Sequence, residues 1–177
     1  MKNFFLFVSL VSYAVVSGQG LGSDTSRKVV RITRPQYSLN YPDSWRADTS
    51  KMFGADLFIY SPKLDSLDQF TENVNVYVQD LSGQNYFLSK MGKQSEAQIK
   101  NMVTDVEILE SRLDSTSTNQ YYVLKYRGRQ GKFLLTTEQR YFLKNDLGVA
   151  LTFTVQSGKE EEYRMTSLAI LDSFVLF

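Results

Sequence analysis

The amino-acid sequence predicts an α+β fold with a central antiparallel sheet. The first observation is period-two alternation, clearest at 147–156, where large apolar residues alternate with small or polar ones. Such alternation places one strand face on a core and the other in water, which is typical of antiparallel sheets. The second observation is a change to helical spacing after Ser95 and after Ser157. Strands combined with helices that pack against them define the α+β class.

The N-terminus has the pattern of a secretory signal peptide. Lys2 supplies a positive charge, residues 4–16 are largely apolar, and small residues follow at 16–18. The apolar run is shorter than the roughly 20 residues of a membrane-spanning helix. We therefore expect residues 1–18 to be removed, with the cut between 17 and 21. The predicted location is exported, either periplasmic or extracellular, with no stable membrane insertion after cleavage.

The remainder divides into a short lead and one domain. Residues 19–27 are small and polar, which is typical of a flexible lead, and residues 28–177 are expected to form a single domain. Loss of residues 1–18 removes one charge, Lys2, and leaves nineteen basic and nineteen acidic residues. This balance argues against a nucleic-acid partner.

The absence of cysteine and histidine from the sequence restricts its chemistry. It excludes disulfides, a cysteine-linked lipid anchor, and the Ser-His-Asp and Cys-His catalytic arrangements. Nearly all zinc sites use the same two residue types. No glycine-rich phosphate loop is present either. We therefore expect a protein that is not an enzyme and that has no cofactor.

Strands are predicted in chain order from alternation and turn residues. The clearest are at 37–41, 73–79, 119–127, 132–143 and 147–156. The last three are joined by short segments rich in turn residues, at 128–131 and 144–146, and predict a meander of long hairpins.

Two helices interrupt this pattern. Ser95 and Gln98 have the spacing of a capping box, and Ile99, Met102 and Val103 would supply the apolar stripe of a short helix. Ser157 repeats the capping pattern before the acidic run 160–162, which a helix N-terminus favours. The apolar face predicted for the second helix consists of Leu168, Leu171 and Val175, with Met165 or Tyr163.

The stretch YSLNYPDSWRADTS, residues 37–50, resembles a signature of the PsbP-like family, in which an aromatic strand ends in Tyr-Pro-acidic-x-Trp. Other similar segments follow in the family's order: DLFIYSP at 56–62, ENVNVYVQDLS at 72–82, the helix beginning SEAQIKNMV, VEILESRLDSTSTNQYYVLKYRG at 106–128, and the C-terminal segment 148–174. The likeness covers about residues 28–177.

The resemblance implies an α/β/α sandwich around a central antiparallel sheet. The family includes the extrinsic PsbP subunit of photosystem II, a eukaryotic Ran-binding factor and exported bacterial proteins. The resemblance therefore implies a non-catalytic accessory module that docks to another protein, here an unidentified protein of the envelope or outside the cell. A photosystem II role would follow only in a photosynthetic source.

Trp45, the only tryptophan, has two interpretations. Pro42 fixes φ and ends the preceding strand, and the following Asp-Ser pair favours a turn that would fold Trp45 back over the sheet edge. The other interpretation makes Trp45 a platform on which a ligand stacks.

The hairpin KYRGRQGKF, residues 125–133, is the predicted protein-binding element. Tyr126, Arg127, Arg129 and Lys132 surround a glycine turn, and tyrosine and arginine are enriched at binding hot spots. This hairpin would dock an acidic partner. The alternative is a charged hairpin tip that maintains solubility.

The second function hypothesis is a carrier of a small ligand or a divalent cation, with a cavity between sheet and helix. Oxygen ligands for a hard cation are available at Asp65, Asp68 and Glu72. The alternative interpretation of these three residues is a solvated acidic loop.

Overall fold

The structure, a computed structural model, describes residues 28–63 and 68–177. The expected signal peptide 1–18, the lead 19–27 and Asp65 lie outside the described residues. Within the described ranges, neither helix has the length and apolar character needed to cross a membrane.

The described residues form ten strands and two α-helices. In chain order they are β1 (Val29–Thr33), β2 (Tyr37–Pro42), β3 (Arg46–Asp48), β4 (Leu57–Tyr60), β5 (Asn73–Asp80), α1 (Leu88–Met102), β6 (Thr104–Ser115), β7 (Gln120–Gln130), β8 (Phe133–Lys144), β9 (Leu147–Gln156), α2 (Glu160–Asp172) and β10 (Val175–Leu176). The strand before Trp45 ends at Pro42, where the sequence predicted its end.

Seven strands form the central sheet in the order β3-β4-β5-β9-β8-β7-β6, and every neighbouring pair is antiparallel. A second antiparallel sheet has the order β1-β2-β10. Helix α1 packs on one face of the central sheet, over β6, β7 and β8. Helix α2 and the second sheet cover the other face. The predicted α+β class, with a helix on each face of a central antiparallel sheet, is confirmed.

Two hydrophobic cores lie on the two faces of the central sheet. Ile170 and Phe174 pack with Leu151 in the core on the α2 side, whereas Met91 and Ile99 belong to the core on the α1 side. Because both faces of the middle strands are covered, the expectation of one face in water is wrong for them. Even on the polar face of β9, Thr152 and Thr154 are fully buried.

The meander of β7, β8 and β9 is present, but its first turn lies later than predicted. Gln130 pairs with Phe133, so the turn consists of Gly131 and Lys132, and Gly128 belongs to the strand. Gly131 has φ +60°, which glycine adopts at little cost. The strand pairing continues through Gly128 because its missing side chain leaves room for Val103.

Both helices differ from their predicted starts. Helix α1 begins at Leu88, so Ser95 is a buried residue of its middle and not a cap. Tertiary packing of Met91, Ser95 and Ile99 on the sheet sets this helix, at a spacing of four residues. Helix α2 begins at Glu160, one residue after Lys159, and its first turn is acidic as predicted.

The buried face of α2 also differs from the predicted one. It consists of Tyr163, Ser167, Ile170 and Leu171. Met165 is exposed, and Val175 belongs to β10 rather than to the helix.

Candidate functional site: a groove between the second helix and the sheet

A groove of about 860 Å³ lies between α2 and the part of the central sheet that α2 leaves uncovered. Its floor contains apolar side chains from β7 and β9, namely Tyr121, Val123, Phe153 and Val155. Strand β6 forms one rim and α2 forms the other. Between them, β8 contributes Thr136, Glu138 and Arg140, so the groove has a floor of mixed apolar and charged side chains and charged walls.

The position of α2 along the chain explains this opening. The helix starts directly after β9, through a turn in which Gly158 has φ +100°. Its buried residues Tyr163 and Ile170 pack in the core shared with β9 and β2. One helix cannot cover a seven-stranded sheet, so the β6–β8 half of this face is left as the groove floor.

Arg140 connects the floor to the C-terminal end of α2. Only 5% of its side chain is exposed; Nε donates to Glu138 at 2.9 Å and Nη1 donates to Asp172 at 2.6 Å. The guanidinium lies over the Tyr121 ring, 4.9 Å from its centroid. Burial alone would lower the pKa of Arg140, but the bonds to the two carboxylates outweigh burial and raise it.

A second contact holds the N-terminal end of α2. The Thr136 hydroxyl donates to Glu160 Oε1 at 2.6 Å, and the Gly158 N–H donates to Glu160 Oε2 at 2.6 Å. Burial opposes ionisation of Glu160, but these hydrogen bonds outweigh it and lower the pKa of the carboxyl. The helix is therefore fixed to β8 at both of its ends, which sets the width of the groove.

The β6 rim presents a compact charged triplet. The Arg112 guanidinium lies 2.6 Å from both the Glu110 and the Asp114 carboxylate. Across the floor, Glu110 and Glu138 are the strand partners of Lys125 on either side. Among the described residues Lys125 forms no ion pair. The strand register nevertheless places its residue between two acidic neighbours.

The α2 rim is mainly acidic. Glu161 is paired with Arg164 at 3.3 Å, and both side chains are largely exposed. Asp172 is about half exposed despite its contact with Arg140. The groove as a whole is lined by six carboxylates and four cationic side chains, so its field is weakly negative.

The arginines of the predicted binding hairpin lie on the same face of the sheet, beyond the groove. Arg127 is 3.3 Å from Glu107 and 3.8 Å from Glu160, and Arg129 is 3.0 Å from Asp105. Strand β6 thus supplies an intramolecular carboxylate to each arginine. These contacts reduce the positive charge that the hairpin offers to an acidic partner.

The other two residues of that hairpin have separate positions. The Lys132 ammonium bonds to Gln69 and lies 5.1 Å from the centroid of the Phe133 ring. Tyr126 is 1% exposed in the core under α1, because it points to the opposite face from Arg127. Tyr126 is therefore not available to a partner on this surface, and its assignment to the binding patch is corrected.

Trp45 is in the core and not on a ligand surface. Its side chain is 7% exposed, and its ring lies edge-on to Tyr163 with centroids 6.1 Å apart. The ring is covered by α2, which leaves no open face for a stacked ligand.

Of the three acidic residues proposed for a cation, Asp65 lies outside the described residues, and Asp68 and Glu72 both interact with Lys159. Asp68 accepts from Lys159 at 3.1 Å, which gives its carboxylate a cationic partner within the chain. Glu72 is fully buried, and burial raises the pKa of its carboxyl. Across residues 28–63 and 68–177 no group of three or more metal-ligating side chains occurs.

Sequence reasoning missed the groove, although part of its signal is visible. Charged residues alternate along β6 at Glu110, Arg112 and Asp114, and again along β8 at Glu138 and Arg140. Such alternation predicts an outward face, but it does not indicate that a helix forms a wall above it. The position of α2 is a tertiary property.

Comparison with known proteins identifies the fold. Cyanobacterial PsbP (CyanoP) from Synechocystis sp. PCC 6803 is similar with a TM-score of 0.61 at 14% identity, over 90% of this chain and 98% of that one. LpqN of Mycobacterium tuberculosis, described as involved in cell envelope biogenesis, gives 0.64 at 13% identity, over 86% and 92%. PA94 of Pseudomonas aeruginosa, of unknown function, gives 0.57 at 10% identity, over 82% and 94%.

These likenesses confirm the PsbP-like fold that the sequence segments indicated. No family model matches the chain, and no curated protein matches it. At identities of 10–14% the likeness concerns the fold alone.

Proposed function

We propose that this chain is a non-catalytic accessory module of the cell envelope, or of the space outside the cell, that binds another protein in the groove between α2 and the sheet. The composition of the groove is the main support for this proposal. Apolar side chains of β7 and β9 lie in its floor beside charged side chains of β8, and its rims are charged. Protein-binding surfaces likewise combine apolar groups with a polar rim.

The anchoring of α2 supports a preformed binding surface. Thr136 and Arg140 hold opposite ends of the helix through Glu160 and Asp172. A groove of fixed width requires little reorganisation on binding, which lowers the entropic cost of association. The absence of histidine and cysteine from the sequence favours binding over catalysis, because the common nucleophile–base pairs require them.

Two observations support the proposed location, one from the sequence and one from a protein of similar fold. Residues 1–18 have a signal-peptide pattern, and LpqN, which shares the fold, is described as a protein of cell envelope biogenesis. The partner is accordingly proposed to be an envelope or extracellular protein.

Site-specific photo-crosslinking in the native host tests this proposal. A crosslinking amino acid at Leu168, which lines the groove, is expected to capture one defined protein. Ala169 is the matched control, because it is exposed on the same helix but does not line the groove.

Capture must be followed by measurement with the purified partner. Glu161→Arg reverses a charge on the groove rim and is expected to change the affinity for the partner about ten-fold. Glu162→Arg makes the same change one residue away, outside the groove. Equal crosslinking at Leu168 and Ala169, or equal affinities for the two charge variants, would contradict the groove as the docking surface.

The dimensions of the groove also favour a second candidate, a small-ligand carrier. Its volume of about 860 Å³ lies within the range of small-molecule sites, roughly 300–1,000 Å³. Thermal unfolding against metabolites, lipids and divalent ions tests this function. A ligand at about a hundred times its Kd adds roughly 2.7 kcal/mol, which shifts Tm by several degrees. A saturable shift that Val123→Arg removes would favour the carrier, and no shift would contradict it.

A further inference from the structure

The outer edge of β6 adjoins the groove and is free of a described strand. β6 is the last strand of the seven-stranded sheet and pairs only with β7 among the described elements. Register shifts between Thr104 and Glu107, and between Ile108 and Glu110, interrupt its first half. From Glu110 to Ser115 it pairs residue for residue with β7. These six residues offer about 20 Å of regular edge.

The N–H and C=O groups at such an edge can form hydrogen bonds with an added strand. A strand added at this position would lie directly beside the mouth of the groove. Because side chains alternate between the faces of a sheet, every second side chain of the added strand would extend over the groove.

The side chains of β6 specify what each face of the added strand would meet. On the groove face it would meet Glu110, Arg112 and Asp114. On the opposite face, Leu113, the strand partner of the core residue Tyr122, is 47% exposed. One face therefore favours charged side chains, and the other favours apolar ones.

The charged side chains of the groove determine whether cationic or anionic side chains are favoured on the added strand. Of the four cationic side chains that line it, Arg112, Arg140 and Arg164 are each paired with carboxylates, and only Lys125 forms no ion pair among the described residues. Glu161 and Asp172 are the partners of Arg164 and Arg140, but their side chains remain 78% and 54% exposed, so the α2 rim retains accessible negative charge. Carboxylates outnumber cations in the groove by six to four, which favours incoming lysine and arginine.

We infer that the partner contributes an extended segment with alternating cationic and apolar side chains, which adds to the edge of β6 and places its cationic side chains in the groove. This inference rests on the proposed function and names the chemistry of the docked segment. Backbone pairing to Glu110–Ser115 supplies affinity, and the acidic rims supply the preference for a cationic sequence.

Binding of synthetic octapeptides to the purified protein, followed by fluorescence anisotropy, tests the inference. The first probe alternates lysine or arginine with valine, and the second replaces every cation with glutamate. The cationic peptide is expected to bind at least about ten-fold more tightly, with an affinity that decreases as salt is raised. Equal affinities for the two peptides would overturn the inference.

Backbone methylation separates strand addition from simple charge attraction. Alternate residues of an added antiparallel strand direct both backbone groups to its neighbour, and the residues between them direct both groups away. Two versions of the cationic peptide should therefore differ in affinity, one N-methylated at every odd residue and the other at every even residue. The version whose methyl groups face β6 should bind about ten-fold more weakly. Equal binding of both versions would overturn pairing with β6.

The rim variants test the position of the peptide. Glu161→Arg is expected to weaken the cationic peptide about ten-fold, and Glu162→Arg is expected to leave it unchanged. No effect of Glu161→Arg would overturn binding in the groove. A concentration-dependent dimer in sedimentation, dissociated by Leu113→Lys, would assign the edge to a second copy and would also overturn the inference.

The outcomes distinguish this inference from the proposed function. Failure of the peptides, combined with groove-specific crosslinking at Leu168, would reject the cationic strand and leave protein docking in place. Failure of both the peptides and the crosslinking would reject both.

Discussion

Arg140 of β8 donates from Nη1 to Asp172 Oδ1 at 2.6 Å and joins the groove floor to the last turn of α2. The two partners differ in environment, since 5% of the Arg140 side chain is exposed against 54% for Asp172. A second carboxylate, Glu138, accepts from Nε of the same guanidinium. The arginine is thus the buried centre of this small network.

This asymmetry predicts unequal losses on mutation. Arg140→Met should lower the free energy of unfolding by about 3 kcal/mol, because it leaves Glu138 without its partner in a mostly buried position. Asp172→Asn should cost about 1 kcal/mol, because the aspartate is half exposed and Arg140 keeps Glu138. Urea unfolding of both variants measures the difference. Equal losses would show that Asp172, and not burial of Arg140, dominates the network.

The pair Arg34–Asp56 predicts a pH dependence of stability. Arg34 Nε and Nη2 donate to the Asp56 carboxylate at 3.0 and 3.1 Å, and the Tyr37 hydroxyl donates at 2.8 Å. The Arg34 hydrogen bonds are the main cause that lowers the pKa of Asp56 below its ordinary value. The contribution of a carboxyl with a lowered pKa is fully present above its unfolded pKa, near 3.9, and is lost as pH falls through the folded pKa.

Asp56→Asn should therefore lower the free energy of unfolding by about 2 kcal/mol at pH 7. The difference from the unmodified protein should shrink below about pH 4, where the carboxyl begins to take up a proton in the unfolded chain. Urea titrations at pH 7 and pH 3 measure this difference, and Asp43→Asn, at an exposed position, is the control. A loss that does not change with pH would contradict a charge-dependent contact.

The sequence predicted local features where local chemistry determines them. Pro42 ends β2, and Asn145-Asp146 forms the two-residue turn between β8 and β9 with φ of +49° and +61°. Features that depend on tertiary packing were not predictable. Ser95 satisfied a capping pattern but is a buried residue inside α1, because the helix extends to Leu88 to pack against the sheet.

In the site, too, local features were predictable from the sequence and tertiary contacts were not. The sequence predicted Arg127 and Arg129 around one hairpin turn; both instead belong to β7, where they lie on the same face. It did not reveal that β6 would place Glu107 and Asp105 beside them, because the bulged register of β6 sets that pairing. The groove depends on the position of α2 above β8, and no local pattern encodes that position.

For Gly92 in α1, we expect replacement by alanine to lower stability, although helix propensity alone would raise it. A Cβ at this position would lie 2.0 Å from Cδ1 of the Tyr122 ring, which is itself buried. Glycine to alanine ordinarily stabilises a helix interior by about 1 kcal/mol. Here Gly92→Ala should destabilise the protein by about 2 kcal/mol, because the ring must move within a packed core.

Thermal unfolding measures this effect, with Lys93→Ala at the neighbouring exposed position as the control. The double variant Gly92→Ala with Tyr122→Leu should recover part of the loss, since the smaller side chain frees space for the methyl group. A stabilised Gly92→Ala variant would mean that α1 is not packed this closely on β7.

Thr154 and Thr136, two buried threonines in adjacent strands, predict opposite responses to the same substitution. Thr154 is fully buried, and its hydroxyl has no hydrogen-bond partner among the described residues. Thr136, 2% exposed, donates to Glu160 and lies 2.9 Å from the Ser157 hydroxyl. Thr154→Val should be neutral or should stabilise by about 1 kcal/mol, because it removes a buried unpaired hydroxyl.

Thr136→Val should instead cost about 2 kcal/mol, because a hydrogen bond to a carboxylate is lost at the N-terminal anchor of α2. Urea unfolding of the two variants under one condition gives the comparison, with valine as a near-isosteric replacement in both strands. A substantial loss in Thr154→Val would show that its hydroxyl has a partner in solution, for which an ordered water bridging it to the polar face of the sheet is the simplest candidate. If Thr136→Val leaves the free energy of unfolding unchanged, the contact between Thr136 and Glu160 does not hold the N-terminal end of α2. Arg140 would then be the residue that positions the helix.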